Sequence, residues 1–121
     1  MQAIIRFARR EQRLGYAGRS FLHDVAIVAT AIVLAFGAHL IEIAIWGVEF
    51  ALCGEFQGFA ASFYHSAENY TTLGYGDVVM SPQWKLLGPM EAADGMLMFG
   101  VSTALIFAVI QHLVQERYSG G

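Results

Sequence analysis

The heptad Thr71-Thr72-Leu73-Gly74-Tyr75-Gly76-Asp77 gathers residue types from which main chain can build a site for a dehydrated monovalent cation. Such an ion needs oxygens that replace its water shell, and neutral carbonyl dipoles do this without binding so tightly that the ion never leaves. In ordinary strand geometry successive residues face opposite sides. A row of carbonyls along one side therefore demands unusual dihedrals, and Gly74 and Gly76 tolerate these because they lack a Cβ. One chain offers a single oxygen at each level, whereas the ion needs several from all sides. Four copies around a common axis would deliver identical rings, so the expectation is a homotetramer. Non-helical backbone at membrane depth also requires protein or water around it, which such an assembly provides.

The elements that must position this heptad are two apolar runs. Between Val25 and Ala38 the chain carries no charge, and its apolar character continues past His39 and Glu42 to about Leu52. About 28 helical residues span roughly 42 Å, enough for a ~30 Å hydrocarbon core. An outer helix is expected over 25–52. A second crossing, the inner helix, is expected over 89–115, with Pro89 at the first helical position and Glu91 and Asp94 near the positive end of the helix dipole. The intervening segment is too long for a plain turn between antiparallel helices. Its Gly58–Asn69 portion is helix-compatible and sets a short helix at 58–69 directly before the 72–77 stretch.

Charge sets the orientation. Arg6, Arg9, Arg10, Arg13 and Arg19 precede the first apolar run, Arg117 follows the second, and only Lys85 lies between. The positive-inside rule puts both ends, 1–24 and 116–121, in the cytoplasm, which needs an even number of crossings. The leader mixes Ile4, Ile5, Phe7 and Leu14 with arginines, compatible with an interfacial amphipathic helix or with a basic tail. The first apolar run is longer than a signal-peptide core and has no clear small-residue cleavage site, so it is expected to stay uncleaved. The whole sequence, 121 residues with net charge −3, 56% hydrophobic and only 14% charged, is a poor match for a soluble enzyme or a nucleic-acid binder. One cysteine, Cys53, excludes a disulfide framework within the chain.

Thr-x-Gly-Tyr-Gly-Asp, preceded by a short helix and placed between two crossings, resembles the selectivity filter of the two-transmembrane pore-loop potassium channels of prokaryotic type. The resemblance covers about Val25 to Gln115 and is most specific from Glu68 to Asp77. It implies an all-α membrane protein in which two transmembrane helices hold a re-entrant pore helix and filter loop, assembled as a fourfold homotetramer. Carbonyls of Thr72, Leu73, Gly74 and Tyr75 would line stacked K+ sites, the Thr72 hydroxyl would complete the innermost, and the Gly76 carbonyl would lie at the outer mouth. Glu68 and Asp77 match a carboxyl pair that shares a proton and braces the filter; the other reading is two independent solvated acids. Tyr64 and His65 match an aromatic cuff around Tyr75, although His65 stands where tryptophan is commonest. Gly100 falls at the inner-helix hinge or is a small packing residue. Ser102 and Thr103 face a water-filled cavity or bond back to their own helix.

Other residues carry weaker expectations. Glu49, Glu55, Asp77, Glu91 and Asp94 form an acidic outer face opposed by Lys85, which in four copies would concentrate cations. Glu42 is costly on a membrane helix unless neutral, paired or near the interface; His39, three residues earlier on the same face, is an available partner, and the expectation is a structural contact against the short helix, with snorkelling to the outer interface or direct ion handling as the other readings. His23, His112 and Glu116 lie at the cytoplasmic helix ends, where they either sense internal acidification or are plain interfacial residues. The expected function is passive, non-enzymatic K+ conduction without a cofactor in a bacterial-type plasma membrane, with a regulatory partner left open. The alternatives are a less selective cation channel on the same fold and a non-conducting membrane scaffold.

Overall fold

The computed structural model describes residues 17–119 together with Gln2, with side chains from Phe21 onward. The leader positions Ile4, Ile5, Arg6, Phe7, Arg9, Arg10, Arg13 and Leu14, the Arg19 side chain, and Gly120-Gly121 lie outside the described residues. Three helices follow in order, α1 (Ala17–Leu52), α2 (Phe59–Tyr70) and α3 (Leu87–Ser119), and no strand occurs among the described residues.

Helix α1 starts at Ala17 rather than Val25, because Phe21-Leu22-His23-Asp24 contains no helix breaker and the polar pair does not interrupt the backbone ladder. Gly54 closes it: with φ 74 it takes the left-handed position after the last turn, and its N–H bonds the Ala51 carbonyl at 3.1 Å. Helix α3 begins two residues before Pro89 and runs past Gln115 to Ser119. Pro89 is thus not the first helical residue, but it stays within the first turn, whose N–H groups lack intrahelical partners anyway.

Both long helices are apolar enough to cross a bilayer, and almost none of their apolar surface is covered within the chain. A core helix of a soluble protein would be mostly buried, so these surfaces belong to lipid or to other protein copies. The chain divides into two compact units.

The unit that carries the 71–77 loop, Ala35–Ser102, packs parts of all three helices. Along α1, His39, Ile43, Gly47 and Phe50 recur at helical spacing and are buried as one stripe. Gly47 admits α2 closely, since a Cβ there would stand 3.2 Å from Phe63 Cα. Gly95 on α3 is tighter still: a Cβ would fall 2.1 Å from the Tyr70 carbonyl oxygen. The interior is mostly polar, with His39, Ser62, His65, Ser66, Glu68 and Glu91 buried beside Ile43, Phe50, Tyr70 and Met80.

The helix-pair unit comprises the beginning of α1 up to Leu34 and the end of α3 from Thr103. Its apolar cavity of about 480 Å³ lies between residues such as Val28 and Ile32 on α1 and Ile110 and Val114 on α3. Arg117 pairs with Asp24 at 2.5 Å and stacks over the Phe21 ring at 5.7 Å.

Candidate functional site: the loop after the short helix

Helix α2 hands its carbonyl end directly to the heptad. Thr71 N–H bonds the Ala67 carbonyl at 3.1 Å, Thr72 N–H bonds Asn69 at 2.9 Å, and Gly74 N–H reaches back to Glu68 at 3.2 Å. The Thr71 hydroxyl also donates to Ala67 at 2.7 Å. The loop therefore grows from the negative end of a helix dipole, which favours a cation nearby.

Backbone signs alternate along the loop. Thr72 has φ 61, Gly74 φ 54 and Gly76 φ 77, whereas Leu73 and Tyr75 are not among the positive-φ residues. A two-residue repeat of left-handed positions counteracts the side-to-side alternation of a strand, the condition for consecutive carbonyls to share one side. The two glycines were readable in the sequence. Thr72 was not, because a β-branched residue with positive φ is an outlier that costs on the order of 1–2 kcal/mol and survives only where its surroundings fix it.

Side chains brace the loop from behind. Tyr64 Oη donates to Asp77 Oδ2 at 2.9 Å, and this bond, followed by a smaller one from Glu68, holds the Asp77 carboxyl below the usual carboxylate range. Glu68 and then Asp77 push the Tyr64 hydroxyl upward. Glu68 is buried with Oε1 lacking a hydrogen-bond partner, and it lines a cavity of about 230 Å³ with His65, Asn69, Gly74 and Gly76. His65 Nδ1 lies 3.2 Å from the Val78 carbonyl and Asn69 Nδ2 lies 2.9 Å from His65 Nε2. The arrangement that satisfies both has Nδ1–H donating and Nε2 accepting, and burial lowers the imidazole pKa in keeping with it. Within one chain Tyr64 and His65 thus serve Asp77 and Val78, and Tyr75 is 73% exposed.

Three further residues differ from expectation. The Ser102 hydroxyl meets a side chain of another helix, lying 2.8 Å from His39 Nε2 on α1. Glu91 is not a solvated outer acid, being fully buried, with Oε1 2.5 Å from Ser66 Oγ and Oε2 without a hydrogen-bond partner. Asp94 accepts a bond from Trp46 Nε1 at 3.1 Å, so both acids serve as ties between helices rather than as dipole complements. The common reason is that α3 begins early enough to turn these carboxyls onto α1 and α2.

Glu55 is tied to the main-chain N–H of Ser81 at 3.0 Å and to its hydroxyl at 2.5 Å; those bonds, the hydroxyl's first, keep its pKa low. His39 and Glu42 meet as the spacing suggests, at 3.0 Å, but with Tyr70 from α2 in the same cluster. Gly100 is exposed, and a Cβ there would meet nothing within 4 Å; Gly95, which the sequence reading did not single out, is the close-packed glycine. Thr103, His23, His112 and Glu116 are not drawn into the loop's surroundings: Thr103 belongs to the helix-pair unit, His23 is exposed, and His112 Nε2 pairs with Glu116 at 3.2 Å.

Comparison with protein families matches residues 38–112 to the family described as "Ion channel". No curated protein and no solved structure gave a match.

Proposed function

The chain belongs to this family of two-transmembrane pore-loop ion channels, and from that premise we propose that it is a potassium-selective subunit whose Thr72–Gly76 main chain coordinates the permeating ion. As a member it is a non-enzymatic, membrane-embedded channel subunit that works in an oligomeric assembly. The observation that carries the finer reading is the left-handed alternation at Thr72, Gly74 and Gly76, anchored to the carbonyl end of α2. Four such loops around an axis would offer rings of neutral oxygens, with the Thr72 hydroxyl completing the innermost ring. In a homotetramer the exposed Tyr75 ring and the uncovered faces of α1 and α3 would be covered by neighbouring copies or lipid.

In this reading Tyr64, His65, Glu68 and Asp77 act as supports. They hold the outer half of the filter from behind, so that the loop does not collapse to solvate itself when an ion leaves. The arginine distribution supports a cytoplasmic location for both termini, with the filter towards the outside of the cell membrane.

The test is reconstitution into planar bilayers with potassium on one side and sodium on the other. The expected reversal potential follows the potassium gradient, and Gly76→Ala abolishes that preference because its φ of 77 is strained for an L side chain. Equal permeability of the two ions would reassign the protein to less selective cation channels. Liposomes without barium-sensitive potassium flux would leave a membrane scaffold.

A further inference from the structure

Behind the filter loop, four side chains from three helices form one polar cluster centred on the buried His39 and Tyr70, with Glu42 and Ser102 partly buried at its edges. His39 on α1 is only 7% exposed, and both of its ring nitrogens are engaged. Nε2 faces the Ser102 hydroxyl of α3 at 2.8 Å. Nδ1 faces the hydroxyl of Tyr70, the last residue of α2, at 2.8 Å and Glu42 Oε2 at 3.0 Å. Tyr70 in turn donates to Glu42 Oε2. One proton assignment satisfies every member: the Ser102 hydroxyl donates to Nε2, while Nδ1–H and the Tyr70 hydroxyl donate to Glu42.

We propose that His39 is a positioning residue that couples α3 to the base of the filter, making the placement of Ser102 and the placement of Tyr70 depend on one another. The proposal rests on the chain being a conducting channel. Tyr70 is completely buried and stands two residues before Thr72. Its carbonyl is the atom against which Gly95 of α3 packs, so its main chain and its hydroxyl are both held from the α3 side, the second through His39. Hydrogen bonds of this length weaken steeply with displacement or misalignment. A shift of α3 at Ser102 by about 1 Å would leave a buried nitrogen without its partner, so the cluster favours one placement of α3 over its neighbours instead of yielding gradually. The imidazole, fixed between Glu42 and the Phe99 ring at 4.6 Å, passes that choice to Tyr70 and hence to the strained Thr72.

A second route is possible in principle through Phe99, whose ring lies 5.4 Å from that of Tyr70. The experiment separates the two. Ser102→Ala, Tyr70→Phe and the double variant are recorded in potassium-containing bilayers, in the wild-type and in the His39→Leu background, reading the ratio of open to closed time. Thermal melting of each detergent-solubilised assembly is measured in parallel.

In the wild-type background the two substitutions are expected to be non-additive by about fivefold or more in that ratio. In the His39→Leu background the non-additivity falls below about twofold, and His39→Gln, which keeps a donor and an acceptor, restores part of it. Simple multiplication of the single effects in the wild-type background overturns the proposal. So does coupling that survives the loss of His39, which would belong to the Phe99 contact, or a change in melting with no change in open-to-closed ratio. If His39→Leu does not assemble, the wild-type and His39→Gln cycles decide. A wild-type protein that passes no ion defeats the channel reading as well, whereas a conducting channel with additive effects defeats this inference alone.

Discussion

The two units of the chain are held by different means. In the loop-bearing unit, Ala35–Ser102, polar side chains tie the elements together: Ser102–His39–Tyr70–Glu42, Ser66 between the Ile43 carbonyl and Glu91, Trp46 with Asp94, and Glu55 with Ser81. In the helix-pair unit the described polar contacts between helices both use Arg117, which pairs with Asp24 and stacks over Phe21, beside an apolar cavity. Lipid tails are as apolar as leucine, so burial alone does not hold membrane helices together; close backbone approach and interhelical hydrogen bonds do. The unit that must keep Thr72 in a strained conformation is rich in both. The other has fewer described ties of either kind.

The largest expected effect that could break this contrast is at the glycines. Gly95→Ala places a Cβ against a backbone oxygen that cannot give way, and should destabilise the assembly by about 3 kcal/mol or abolish it, read by thermal melting and size-exclusion chromatography. Gly100→Ala meets nothing within the chain and should be neutral or stabilising by up to ~1 kcal/mol. Equal damage from both would show that Gly100 packs against another copy.

Glu91→Ala comes next. It leaves a void and removes the acid that bridges to Ser66, a loss of about 2 kcal/mol in detergent unfolding, with Glu91→Gln milder because it retains a polar partner.

A smaller effect is expected on acidification. His65 is lowered from its ordinary value of 6.5, so its contribution to stability is complete above that value and is lost as pH falls through its depressed folded-state pKa. Asp77 is lowered from 3.8, and its contribution survives until pH falls through that still lower value. Melting temperature should therefore begin to decline below about pH 6.5 in wild type, and more shallowly in His65→Gln. Identical profiles would remove His65 as the cause.

The smallest effect belongs to the helix-pair unit. Asp24→Asn or Arg117→Gln should cost less than ~1 kcal/mol, and less again in high salt, because the pair is partly exposed. A loss as large as that of Glu91→Ala would overturn the contrast between the units.

Much of this architecture was legible in the sequence. The hydropathy of the two long runs and the glycines of Thr-x-Gly-Tyr-Gly-Asp are local properties, and each states its consequence without reference to distant residues. The His39–Glu42 pair was legible for the same reason, lying three apart on one helix face. Tyr70 and Ser102, which complete that cluster, were not: they are 31 and 63 positions from His39. Glu91 and Asp94 were misread as outer acids because a carboxyl at the start of a helix normally faces water, and nothing nearby in sequence announces Ser66 or Trp46 as partners.

The amino-acid order alone determined which segments can enter a bilayer and which residues can adopt left-handed backbone, since both depend on side-chain size and polarity within a few positions. Only the tertiary structure decided which glycine is indispensable to packing, which acids become buried ties, and that Thr72 joins the glycines in a left-handed conformation. Those outcomes depend on how closely three helices approach and on contacts between residues far apart in the chain, such as Gly95 against the Tyr70 carbonyl and Ser102 against the His39 imidazole.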